Sequence, residues 1–144
     1  SALAPMQTRA TPPSPFVLPV RVYWEDTDAG GIVFYANYLK FFERARTEWL
    51  RALGIHQQAM KEETDGIFVV LQASLRCLAP AKLDDLLQVN AGLAEAGRAS
   101  LRLGQQAWRG DTLLAEGQVR IAFVDAGTLR PRRIPTPLLA ALAG

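Results

Sequence analysis

The pattern of hydrophobic and polar positions changes period twice along the chain. Over residues 16–25, Val20, Val22 and Trp24 alternate with Arg21 and Tyr23, which predicts a strand that Pro19 opens. From Asn37 the period lengthens. Tyr38, Leu39, Phe42, Ala45, Trp49 and Leu53 recur at three- and four-residue steps, with Lys40, Glu43, Arg44, Thr47 and Arg51 on the other side. This is one long amphipathic helix, with Asn37 as its N-cap and Gly54 as its C′ stop. A helical turn is expected near 57–62. Four strand-like segments follow, at 67–78, 86–95, 100–109 and 113–124. Gly97-Arg98 and Gly110-Asp111 read as tight turns, and 80–85 as a longer connection. Thr136 and Pro137 suit the start of a short closing helix.

One strand, one long helix and four strands at meander spacing predict an α+β fold, a five-stranded antiparallel sheet packed on the helix. The missing βαβ alternation argues against a parallel doubly wound sheet. Residues 1–15, small, polar and proline-rich, read as a flexible tail, and residues 16–144 as a single domain.

Composition narrows the function. The 144 residues are 49% hydrophobic and 21% charged, as in globular chains, and the formal net charge is only +2. No block of like charges suggests nucleic-acid binding, and no apolar run is long enough for a transmembrane segment. The single cysteine, Cys77, allows no intrachain disulfide and reads as a small core residue; a cytoplasmic location is expected. With one histidine, His56, and one cysteine, no metal site of the usual His/Cys kind is expected. His56 reads as exposed, and no serine sits in a nucleophile motif.

The chemistry concentrates before the helix. Glu25, Asp26 and Asp28 precede Gly30-Gly31, a few residues from the helix start. A carboxylate beside free helix N–H groups can attack or deprotonate while those groups polarise a carbonyl. By itself Asp28 reads first as a turn acid beside glycine. Gly30 and Gly31 serve a tight turn or let backbone approach a substrate.

The run VRVYWEDTDAGGIVFYANYLKFFERARTEWLRALG, with its D-x-D-x-x-G-I-V-x-Y-x-x-Y pattern, resembles the hotdog-fold acyl-CoA thioesterases of the 4-hydroxybenzoyl-CoA thioesterase type. The likeness is greatest to the YbgC branch, found with the bacterial Tol–Pal envelope system, and APAKLDDLLQV extends it. The resemblance implies a sheet wrapped around the central helix, homodimers that often pair into a dimer of dimers, and active sites at the subunit interface. It makes Asp28 the catalytic carboxylate, as nucleophile or general base, and the Tyr35 backbone N–H the carbonyl polariser. A plain carboxylate suffices because a thioester is reactive and its thiolate leaves readily. Tyr35 stands where some YbgC relatives have histidine, and Trp24 where relatives often have tyrosine. Trp24, Phe34, Phe68 and Val70, with Gly30 and Gly31, are expected to shape the acyl site. Arg98 and Ser100 match the family's phosphate-binding turn for coenzyme A, with Arg76, Lys82 and the RPRR cluster at 130–133 as weaker candidates. Asp26 is expected to be structural. Glu43 is the alternative carboxylate, because a second hotdog class uses a helix glutamate. The implied reaction is hydrolysis of an acyl-CoA to an acid and free coenzyme A, with no cofactor, linked to envelope or phospholipid metabolism. The alternative is a non-catalytic module that binds acyl-CoA or acyl carrier protein in a lipid-synthesis assembly.

Overall fold

The structure is a computed structural model and describes residues 16–143; the expected tail at 1–15 lies outside them. Strand β1, Val17–Arg21, buries Val20 as the alternation predicts, and Val22 is buried just beyond its end. The strand nevertheless stops before Trp24, because Trp24–Asp26 is a single 3₁₀ turn. The Asp26 carboxylate accepts the Tyr23 N–H at 2.9 Å, and the Asp26 N–H returns to the Tyr23 carbonyl at 3.0 Å. This local closure outcompetes strand pairing. Trp24 is therefore 83% exposed rather than inside the core.

Helix α1, Asn37–Ala52, buries Tyr38, Phe41, Phe42, Ala45, Trp49 and Leu50. Gly54 ends it with φ +84°, the left-handed geometry expected of a C′ glycine. Its N-cap is Ala36, not Asn37; the Asn37 amide instead donates to the Asp26 carbonyl at 2.8 Å. A second helix, α2, spans Gln57–Thr64.

The strands are β2 (Gly66–Cys77), β3 (Leu86–Asn90), β4 (Gly92–Ala96), β5 (Ser100–Arg109) and β6 (Thr112–Asp125), and α3 (Thr136–Ala143) closes the described chain. All the strand pairings are antiparallel, in the order β1-β3-β5-β6-β2, with β4 also on β5. The expected single strand at 86–95 is thus two segments at one position in the sheet. Val89 faces Ala107 and Gly92 faces Gly104, so the register runs through the break unchanged. The break arises at Asn90, whose side-chain oxygen takes the Gln106 N–H at 2.7 Å while Gln105 Nε2 donates to the Asn90 carbonyl at 3.2 Å. Side chains there replace ladder bonds, and five expected strands become six.

One face of the sheet carries Val20, Leu87, Val89, Leu101, Leu103, Ala107, Val119, Ile121 and Phe123, all buried. Helix α1 lies on this face. Gln105, also on it, donates to the Phe42 carbonyl at 2.9 Å. At Gly117 an added Cβ would run into the Ser74 carbonyl oxygen of β2 and stand 3.1 Å from the Phe42 ring, so glycine lets both the neighbouring strand and the helix sit this close. Strand β2 has a bulge at Leu71. Phe68 and Val70 before it, and Ala73, Leu75 and Cys77 after it, keep to the helix-facing side because the extra residue shifts the pleat by one. No helix among the described residues is long and apolar enough to cross a membrane.

Candidate active site

Asp26 ties together the three parts that meet before α1. Its buried carboxylate holds Tyr23, and its carbonyl accepts the Phe34 N–H at 3.2 Å and the Asn37 amide. Its role is structural, as expected. The chain then makes a tight loop. The Asp28 N–H bonds to the Ile32 carbonyl at 2.8 Å, the Gly31 N–H to the Asp28 carbonyl at 3.0 Å, and the Gly30 N–H to Asp28 Oδ1 at 2.8 Å. Gly31 has φ +80°, so glycine is needed for the loop to close.

The loop faces the segment after β2. The Val33 N–H bonds to the Ala81 carbonyl at 2.8 Å, and Ile32 bridges to Lys82. Arg109 pins this segment from β5, donating to the Pro80 carbonyl at 3.0 Å and to Asp85 at 2.8 Å. Partial burial works against the Asp85 carboxylate. The Lys82 N–H and the Arg109 guanidinium outweigh it and hold the carboxyl below its usual value.

Between the two segments is a cleft of about 480 Å³. Asp28, Tyr35, Tyr38 and Cys77 are its polar-bearing residues; Ile32, Val33, Phe34, Leu78, Ala79 and Pro80 supply apolar walls. Asp28 and Tyr35, seven positions apart in the sequence, thus line one space. The Tyr35 N–H lies just before the helix N-cap and donates no hydrogen bond among the described residues. It lies at the positive end of the helix dipole. The Tyr35 ring meets Phe34 edge-on, with centroids 6.1 Å apart. Cys77 is exposed rather than in the core, and partial burial pushes its thiol up.

Other expected residues lie elsewhere. Phe68 packs on Phe123, centroids 5.2 Å apart, and Val70 sits 54% exposed on the outer strand. Neither lines the Asp28 cleft of its own chain, nor does Trp24. Arg98 lies in the β4–β5 turn and Ser100 begins β5, where it lines a separate recess of about 240 Å³ with Arg102 and Arg120. Arg76 pairs with Glu116 at 2.7 Å. Arg132 donates to the Thr64 carbonyl and covers the Phe123 ring, so part of the basic cluster is structural. Glu43 is exposed and accepts a bond from Thr47 at 2.7 Å; His56 is exposed. Tyr38 and the segment 77–80 were not singled out for the site by sequence pattern. The signal was the second tyrosine of the motif, which helical spacing alone reads as core.

A family model described as "Thioesterase-like superfamily" matches residues 22–142. The acyl-CoA thioesterase YbgC of Haemophilus influenzae is 45% identical over 126 residues, covering 88% of this chain and 93% of the relative. The acyl-CoA thioester hydrolase YbgC of Escherichia coli is 42% identical over 126 residues, covering 87% and 93%. Among solved structures, a probable thioesterase from Bartonella henselae superposes with a TM-score of 0.78 at 32% identity, over 83% of this chain and 98% of its own. The matched residues hold both walls of the cleft, the loop with Asp28 and the segment after β2, so the chain is a member of the thioesterase-like superfamily, with its hotdog fold.

Proposed function

We propose that this protein is an acyl-CoA thioesterase that hydrolyses an acyl-CoA to a carboxylic acid and free coenzyme A. One observation carries the reading: Asp28 and Tyr35, whose N–H has no hydrogen-bond partner among the described residues, line the same largely apolar cleft. The similarity to acyl-CoA thioesterases of the YbgC kind supports it. The Tyr35 N–H polarises the thioester carbonyl. Asp28 acts on the carbonyl carbon, directly as nucleophile or through a water that it deprotonates. Labelled water identifies the direct route when the anhydride is hydrolysed at the Asp28 carbonyl, because in a single turnover a solvent oxygen then enters Asp28 and an Asp28 oxygen leaves in the acid. Neither route requires a metal or redox cofactor. The exposed, unpaired Cys77 suits a reducing compartment, and the proposal places the enzyme in the cytoplasm, linked to the envelope or phospholipid metabolism.

The active form we propose is a homodimer across β2. This 12-residue strand is a sheet edge, and Val70 and Leu71 on it are more than half exposed. Such an edge calls for a partner strand. A two-fold axis near mid-strand sets the Gly66 end of one protomer opposite the Cys77 end of the other. The partner's Phe68 and Val70 then approach the Asp28 cleft and complete the acyl site. Pairing of such dimers and delivery of the acyl group by an acyl carrier protein are compatible with this arrangement. Arg98 and Ser100 are proposed to hold a coenzyme A phosphate, so Arg98→Ala raises KM for acyl-CoA with little change in kcat.

The test is free-thiol release from a panel of acyl-CoAs, with wild type and Asp28→Asn measured together. Turnover by wild type and its near-loss in the folded variant support the proposal. Binding of acyl-CoA by wild type without thiol release overturns it in favour of a binding module.

A further inference from the structure

Both walls of the cleft hang on one side chain that is not part of it. Arg109 is the last residue of β5 and does not line the cleft. Its Nη1 donates to the Pro80 carbonyl at 3.0 Å and to Asp85 Oδ2 at 2.8 Å, and the same carboxylate oxygen accepts the Lys82 N–H at 2.9 Å. Pro80 belongs to one wall. The next two residues carry the other. The Ala81 carbonyl accepts the Val33 N–H at 2.8 Å, Lys82 bridges to Ile32, and the Ile32 carbonyl accepts the Asp28 N–H at 2.8 Å. An unbroken line of bonds thus runs from Arg109, through 80–82, to the carboxylate residue of the mechanism.

The wall has few other supports at this point. Pairing of β2 with β6 ends where the Leu78 and Ala79 N–H groups share the Leu114 carbonyl, at 2.8 and 3.2 Å. Pro80 has no N–H to offer. The next ties come at 84–85, where the Asp84 N–H donates to the Val22 carbonyl at 3.0 Å and the Val22 N–H to the Asp85 carbonyl at 2.9 Å. Between these ties the Pro80 carbonyl is held by the Arg109 side chain. Arg109 has a firm base, because it pairs with Thr112 across the Gly110-Asp111 turn. Its guanidinium is always charged, and hydrogen bonds from an ionised donor are stronger than neutral ones.

We propose that Arg109 is a positioning residue for the hydrolysis: it sets the separation of the two cleft walls, and with it the aim of Asp28 and the acyl groups that fit. The inference rests on the thioesterase reading. Arg109 touches neither the substrate nor the reacting atoms and acts through Pro80, Ala81 and Lys82. Without it the Pro80 carbonyl loses its donor, and Asp85 keeps only the Lys82 N–H. The segment then shifts, and the Asp28 loop bonded to it follows. Rate and selectivity change together, because attack geometry and pocket size depend on the same three residues.

Arg109→Met keeps an unbranched apolar stem and removes the donors. The test runs wild type and this variant on a panel of short-chain and bulky acyl-CoAs, well below the thermal midpoint of each protein. On the best substrate kcat should fall about tenfold or more. The ratio of kcat/KM between short-chain and bulky substrates should change by roughly threefold or more. The ratio decides. A merely structural role leaves less folded enzyme, which lowers every substrate by one factor. An unchanged ratio therefore overturns the proposal, whether the rates fall uniformly or not at all. If Arg109→Met does not fold, Arg109→Lys takes its place. It keeps the charge opposite Asp85 but is one bond shorter, and again a changed ratio supports the role and an unchanged one overturns it. A wild type that turns over no acyl-CoA rejects the thioesterase reading and this role with it. An active wild type whose variant keeps the wild-type ratio rejects the Arg109 role alone.

Discussion

Asp28 Oδ1 accepts the Gly30 N–H at 2.8 Å, while Oδ2 has no hydrogen-bond partner among the described residues. One oxygen fixes the carboxylate and the other is the one the proposed mechanism uses. Asn at this position keeps an oxygen for Gly30 but loses the charge. Asp28→Asn should therefore fold with a stability change under about 1 kcal/mol. Its kcat should fall by about 10²–10⁴, the usual contribution of a positioned acid or base. Thiol release and thermal denaturation on the same samples check both halves.

The second glycine function concerns aim rather than folding. A Cβ on Gly30 would stand 3.2 Å from Asp28 Oδ1, close enough to push the carboxylate aside. Gly30→Ala is expected to lower kcat by about tenfold or more, since misplacement by about 1 Å can cost 10²-fold. The thermal midpoint should move little. Equal activity in the Ala variant would show that the carboxylate's position is not critical.

Asp85 should make stability pH-dependent at the acid end. Its carboxyl lies below the ordinary 3.8 when folded, so the unfolded chain binds the proton more readily. The stabilisation is fully present above the unfolded value and is lost as pH falls through the folded one. Asp85→Asn lacks it at every pH. The gap in thermal midpoint between wild type and variant should therefore be widest near neutrality and close as pH falls below about 4. A gap that does not change with pH would rule out the Arg109–Asp85 pair as its source.

Charge on the outer strand should block assembly. Leu71→Lys places an ammonium at the bulge of the proposed β2–β2 contact, where Leu71 is 53% exposed in the single chain. The expected outcome is a folded monomer in light-scattering measurements, with thiol release reduced because Phe68 and Val70 of the partner are missing from the cleft. A fully dimeric Leu71→Lys protein would place the subunit contact elsewhere.

The sequence pattern reveals the helix, its Gly54 stop and the two hairpin turns because each rests on local chemistry. Misses occur where a single side chain redirects the backbone. The alternation that carried β1 on to Trp24 is ended by the Asp26 carboxylate, and the strand at 86–95 by the Asn90 amide. Helical spacing placed Leu39 inside, yet it is 39% exposed while Phe41 is fully buried, because the sheet meets a face rotated from the apolar one. In β2 the bulge gave no such clue, since residues 67–71 are apolar at every position and show no alternation whose phase could be seen to change. Asp28 and Tyr35 were legible through their motif. The other wall of the cleft, Cys77–Pro80, is about 50 positions away and joins them only through long-range pairing.

A long edge strand bearing exposed aliphatic side chains is also the kind of surface on which sheets stack into fibres. The irregularity at Leu71 restricts what can stack. A mate with a regular pleat matches one half of β2 and falls out of phase with the other. In a two-fold pair each bulge lies opposite its own copy, so both halves stay in phase and both edges are consumed. The extra residue that keeps Phe68 and Cys77 on one face would thus also make the strand selective for a single, self-limiting partner.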